Sequence, residues 1–219
     1  MPRRFDEDLA KLKQSLLGMG GMAEEMIRKT VRALVDHSPA LVREVLETEK
    51  KMDVLQGEVD NETVRLIGVY TPVAGNLRVL LMITRINAEL ERIGDQAVAI
   101  CHSFENLHLL VEPPLKPLED LPRMAAIGEE MLRRALDAFL SNSVEESMAV
   151  IHSDDEVDRL NDQIFRELLT YLVRDTRNTE RALGLILAAK GFESIADHAV
   201  NIAEDVVYIV HGEDIRHVK

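Results

Sequence analysis

The chain has no tryptophan, and only 4% of its residues are aromatic. Its core must therefore rest on aliphatic side chains and on its nine methionines, which fill irregular gaps. Cys101 is the single cysteine, so an intrachain disulfide is excluded, and a reducing cytosol is the compartment expected. Long apolar runs are missing too. "VLLMI", Val79 to Ile83, is typical of the stretches present, far short of the roughly 20 apolar residues that a membrane helix needs. The opening "MPRRFDEDLAKLK" lacks the apolar segment of a signal peptide. These features lead us to expect a cytoplasmic protein with no membrane insertion. A basic surplus is also lacking. Lys and Arg number 26 against 39 Asp and Glu, a formal net charge of −13, which speaks against a general nucleic-acid binder. No GxxxxGK[ST], GxSxG or CxxC string occurs, so nucleotide hydrolysis, serine chemistry and zinc ribbons have no support.

What the chain does have is helix-forming residues and a repeat. Leu, Ala, Glu, Arg, Val and Ile dominate, and 46% of the residues are hydrophobic. "MAEEMIRKTVRAL" from Met22 returns as "IGEEMLRRALDAF" from Ile127. Glu24, Glu25, Met26 and Arg28 recur 105 positions later as Glu129, Glu130, Met131 and Arg133. Farther on the offset becomes 102: Glu91, Ile93, Asp95, Ala97, Val98 and Ile100 recur as Glu193, Ile195, Asp197, Ala199, Val200 and Ile202. The change of offset falls where loops are expected, so the chain reads as a tandem duplication of one unit.

Turn-rich breaks divide each unit into three helical segments. The pattern predicts helices at about 6–36, 39–68 and 75–110, then 118–140, 144–173 and 179–210. "GMGG", Gly18 to Gly21, is expected to weaken the first helix without breaking it, at about 1 kcal/mol per glycine. "VEPPLKP", Val111 to Pro117, holds three prolines and reads as a hinge between the halves. Short connections favour antiparallel neighbours. The expected fold is all-α, two tandem antiparallel three-helix bundles, with units at 1–112 and 113–219.

Each unit carries two acid-x-x-x-acid pairs on different predicted helices. They are Glu49/Asp53 and Glu91/Asp95 in the first, and Asp154/Asp158 and Glu193/Asp197 in the second. At 100° per residue, Glu193, Asp197, Asn201 and Glu204 share one stripe of the last helix. The matching stripe of the first unit holds Glu91, Asp95, Ala99 and His102. Two like charges 4 Å apart repel by about 4 kcal/mol at an effective dielectric near 20. Such acids need cations, protons or basic partners, and Lys50, Lys51, Arg92 and Arg159 lie nearby in sequence. Clustered carboxylates suit hard ions such as magnesium or manganese, and iron uses them too. The bland alternative is a solvated acidic face. Glu105 and His108 form a lone ExxH, which we read as chance because di-iron bundles need two. His198 is as well suited to packing or surface contact as to ligation.

"LERIGDQAVAI" (Leu90–Ile100) and "FESIADHAVNIAED" (Phe192–Asp205), on the third helices of duplicated three-helix units, resemble the PhoU family. The resemblance covers nearly the whole chain. It implies metal clusters, iron and zinc among them, bound through E(D)xxxD motifs. It also implies a negative regulatory role in phosphate signalling, as an adaptor between a phosphate ABC transporter's ATPase subunit and a sensor histidine kinase, and a homodimer. The motif positions are Glu49, Asp53, Glu91, Asp95, Asp154, Asp158, Glu193 and Asp197, with Asn201 and Glu204 as further candidates. In the second copy Ser194 stands where the fuller motif has Arg, and Ala196 where it has Gly. Catalysis is not implied, because no nucleophile or base–orienter set accompanies the acids. The two rivals to the regulator are a two-metal phosphate-ester hydrolase using the same acids and a metal-free helical scaffold.

Overall fold

The computed structural model describes residues 2–212. Six α-helices account for nearly all of it: α1 (Pro2–Val35), α2 (Pro39–Tyr70), α3 (Gly75–Asn106), α4 (Asp120–Ser141), α5 (Val144–Arg174) and α6 (Thr179–His211). A short 3-10 turn, Thr176–Asn178, joins α5 to α6. The helices end where backbone chemistry stops them. His37, Thr71 and Asn142 take left-handed φ values of 48°, 44° and 52° just beyond α1, α2 and α4. After α1 and α4 the amides of Ser38 and Ser143 reach back to the carbonyls of Ala33 and Ala138, closing the helix ends. Ser143 also caps α5, its hydroxyl accepting from the Glu146 amide at 3.2 Å.

α1 runs unbroken through Gly18, Gly20 and Gly21, as the sequence suggests. The third helix is shorter than its pattern implies. It stops at Asn106, because His108 is left-handed (φ 56°) and the Leu109 amide turns back to the Phe104 carbonyl. The turn lets Leu109 and Leu110 drop into the core. His108 thus stands beyond the helix end, so Glu105 and His108 do not form a helical ExxH face.

Helices α1–α3 pack on one another, as do α4–α6. The two triplets are not separate bodies. α3 lies against α6 and α1 against α4, and one continuous core takes in Leu12, Val45, Ile93, Leu132, Val157 and Ile195, from all six helices. α3 and α6 run antiparallel: Glu89 meets Asn201, Ile100 meets Gly191, and Arg85 faces Asp205. The backbones come close because glycine stands at the crossing points. A Cβ on Gly191 would lie 2.4 Å from Ile100 Cγ1, and one on Gly20 would lie 2.2 Å from Leu136 Cδ1.

The proline-rich linker is a strap and not the free hinge that its composition suggests. Leu115 and Leu118 pack against the core, and Arg181 donates to the Pro113 carbonyl at 3.2 Å. Lys116 pairs with Asp120 at 2.7 Å and with Glu167. Proline stops helix propagation but leaves the side chains between prolines able to dock.

Ile100 is β-branched and fully packed, so it has little room to yield. Gly191→Val should destabilise the chain by about 2–3 kcal/mol, as overpacking does. Urea unfolding at unchanged m-value checks this, and Gly21→Ala, where the space is open, should instead stabilise the chain by about 0.5–1 kcal/mol.

Candidate functional site

The acid pairs of each triplet meet across two antiparallel helices. In the first set, Glu49 and Asp53 on α2 face Glu91 and Asp95 on α3. Glu49 is repelled by Asp53 and Asp95, and Glu91 by Asp95 and Asp53. In the second set, Asp154 and Asp158 on α5 face Glu193 and Asp197 on α6. Asp154 is repelled by Asp197, Asp158 and Glu193. Gly94 helps the first set form. A Cβ there would lie 2.9 Å from Met52 Sδ, so glycine lets α2 and α3 close beside Asp53 and Asp95.

Burial and mutual repulsion push these carboxyls upward. Partial burial is the larger cause for Glu49 and Glu91, followed by the neighbouring acids. Asp197 is raised in the same way. Asp154 is pushed up to about 6, first by burial and then by Asp197, Asp158 and Glu193. Basic partners are scarce. Among the described residues Lys50, Lys51 and Arg159 make no ion pair, and Arg92 pairs with Glu89 at 2.8 Å instead of with the cluster. In the second set Lys190 pairs with Glu193.

The remaining two candidate ligands fall elsewhere. Asn201 uses its amide to donate to Glu89 Oε2 of the other triplet at 3.0 Å, so it is committed to the α3–α6 seam. Glu204 lies seven residues beyond Asp197, about 10 Å farther along α6, too far to share an ion with Glu193. His198 joins the seam as well, its Nδ1 2.7 Å from Glu89 Oε2. Burial pushes the Glu89 carboxyl up, but the bonds from His198 and Asn201 outweigh this and hold it below the usual range. This polar seam escaped the sequence reading. Its one signal is mismatch between the copies: Glu89, His198 and Asn201 answer Gly191, Gln96 and Ala99 at the 102 offset.

Among the described residues no three His, Cys, Asp or Glu side chains are drawn together as closely as direct ligation requires. The donor set nevertheless fits a hard cation. All eight groups are carboxylates, and Asp154 Oδ1 is a buried oxygen with no hydrogen-bond partner. A buried acceptor left unpaired costs about 1–3 kcal/mol, and a cation would satisfy it.

The PhoU domain family model matches residues 16–104 and again 121–206. The chain belongs to the PhoU family. The phosphate-specific transport system accessory protein PhoU homolog 2 of Thermotoga maritima is 36% identical to this chain, covering 97% of it and 90% of that protein. The PhoU accessory protein of Escherichia coli is 33% identical, covering 98% and 88%. The crystal structure of PhoU from Pseudomonas aeruginosa superposes with a TM-score of 0.90 at 32% identity, over 95% of this chain and all of that one. The duplicated PhoU matches correspond to the two helical triplets, each with its own four-acid set.

The raised carboxyls fix the sign of a pH effect. An acid whose folded pKa lies above its unfolded value destabilises the fold when ionised. The penalty is absent below the unfolded pKa, near 4, and complete once pH has risen past the folded value, about 6 for Asp154. In EDTA the protein should therefore melt at higher temperature at pH 5.5 than at pH 7.5. Asp154→Asn should raise the melting temperature at pH 7.5 and flatten the slope, with a gain of about 1 kcal/mol after solvent screening. Calorimetry across that range checks both.

Proposed function

We propose that this chain is a metal-binding accessory protein of phosphate-specific transport. It acts in the cytoplasm as an adaptor between the transporter's ATPase subunit and a sensor histidine kinase, and it represses the phosphate response when phosphate is plentiful. The transport role follows the relatives, which are named as accessory proteins of the phosphate-specific transport system. The observation that carries the metal reading is the pair of four-carboxylate sets, one per repeat, with the unpartnered Asp154 oxygen inside the second. Glu49, Asp53, Glu91 and Asp95 hold one centre, and Asp154, Asp158, Glu193 and Asp197 hold the other. A bound iron, zinc, manganese or magnesium supplies positive charge that offsets the repulsion within each set. The chain's own part is to present oxygens from two helices and to lock those helices together. Neither set contains an accompanying nucleophile and oriented base, so the role is structural and regulatory, not catalytic.

No helix among the described residues is long and apolar enough to cross a membrane. The accessory role thus rests on docking to partners.

Two measurements test the proposal. Elemental analysis of protein purified without chelator should give at least one metal per chain, falling sharply in Asp95→Asn/Asp197→Asn. Below a tenth of an equivalent in the parent protein, the metal reading fails. Affinity capture from cells grown in high phosphate should recover the transporter ATPase and the sensor kinase, and loss of both from the captured set would refute the adaptor role.

A further inference from the structure

The two acid sets are not equivalent, and the difference lies in one side chain. Lys190, on α6, places its ammonium on Glu193. Two more acids of the same set, Asp158 and Asp197, act on it electrostatically. At the 102 offset the first repeat has Ala88, which carries no charge. Lys50 and Arg92 act from a distance on Glu49 and Glu91, but among the described residues neither is ion-paired to the set, and Arg92 pairs with Glu89. Among the described residues the first set thus presents four acids with no ion-paired base, whereas the second has a cation attached.

We propose that Lys190 is the built-in counter-cation of the second acid set and competes there with a divalent metal ion, so that the first set loads at lower metal concentration than the second. The inference rests on the metal reading above for its loading order, and on the ion pair alone for the counter-cation. Lys190 Nζ donates to Glu193 Oε2, one of the oxygens that the second set would offer a metal. Metal entry therefore requires the ammonium to swing away on its flexible stem, which is 61% exposed and free to move. Removing one unit charge a few ångströms from a dication site should change affinity by about tenfold.

Isothermal titration with Mn²⁺ at pH 7.5 tests the loading order. In a Glu91→Gln/Asp95→Asn background only the second set remains intact. There Lys190→Ala should tighten Mn²⁺ about tenfold, and Lys190→Met, which keeps the apolar stem, should do the same. In an Asp154→Asn/Asp197→Asn background neither change should alter Mn²⁺ affinity. Unchanged or weaker binding in the first background, or equal tightening in both, overturns the competition. A second readout needs no metal. In EDTA, Lys190→Ala should lower the melting temperature, and adding Glu193→Gln should erase that loss. If no variant binds Mn²⁺, the metal reading and the loading order fall together, and the EDTA arm decides the counter-cation. A melting temperature indifferent to Lys190 overturns that part.

Discussion

The close antiparallel contact of α3 with α6 is the constraint on which the molecule depends. Each of these helices serves three interfaces at once, two of which bear on the acid sets. One face meets its counterpart in the other repeat, where Gly191 admits Ile100, Gly184 admits Leu109 from the turn just beyond α3, and Glu89 receives His198 and Asn201. Another face turns toward the second helix of its own triplet and carries an acid pair. Fixing α3 against α6 therefore fixes both acid sets in one frame. The seam is a mixture of apolar packing and a half-buried polar clasp, and breaking the clasp from one side would leave an acid or an imidazole short of partners.

The acids themselves work against the fold. A chain with a net charge of −13 already repels itself, and here eight carboxylates are concentrated at two places with, among the described residues, one ion-paired base between them. Such an arrangement persists only because the aliphatic core beneath is extensive, running through all six helices. The local cost shows in the raised carboxyls of Glu49, Glu91, Asp154 and Asp197. Sites where local rules are broken against a consistent background are where function is expected. The same acids would be ordinary on a solvated face, but facing each other across two helices they repel, and that repulsion is what the proposed metal would offset.

Much of this was legible in the chain. Six helices, their breaks and the duplication follow from periodicity and turn chemistry, which are local properties. The four acid pairs were legible because the repeat itself marks them. Their convergence follows from short loops and antiparallel neighbours. The α3–α6 seam was not legible, because helical periodicity says which residues share a face but not which helix that face will meet. Asn201 shows the error clearly. It shares a stripe with Glu193 and Asp197, yet at 80° round from Glu193 it already faces α3, where Glu89 takes its amide. The linker misled in the same way: three prolines announce a break, while Leu115, Leu118 and Lys116 decide that the break is tied down.

The two repeats of this chain share the acid set while their surroundings differ: Gly94 against Ala196, Ala88 against Lys190. The central claim is that both sets are metal sites. Anomalous diffraction from crystals grown with Mn²⁺ and no chelator tests it most directly. The account predicts one anomalous peak or more within ligand distance of Asp95 and another within ligand distance of Asp154 Oδ1. Density with no anomalous peak at either set, under saturating Mn²⁺, would contradict it.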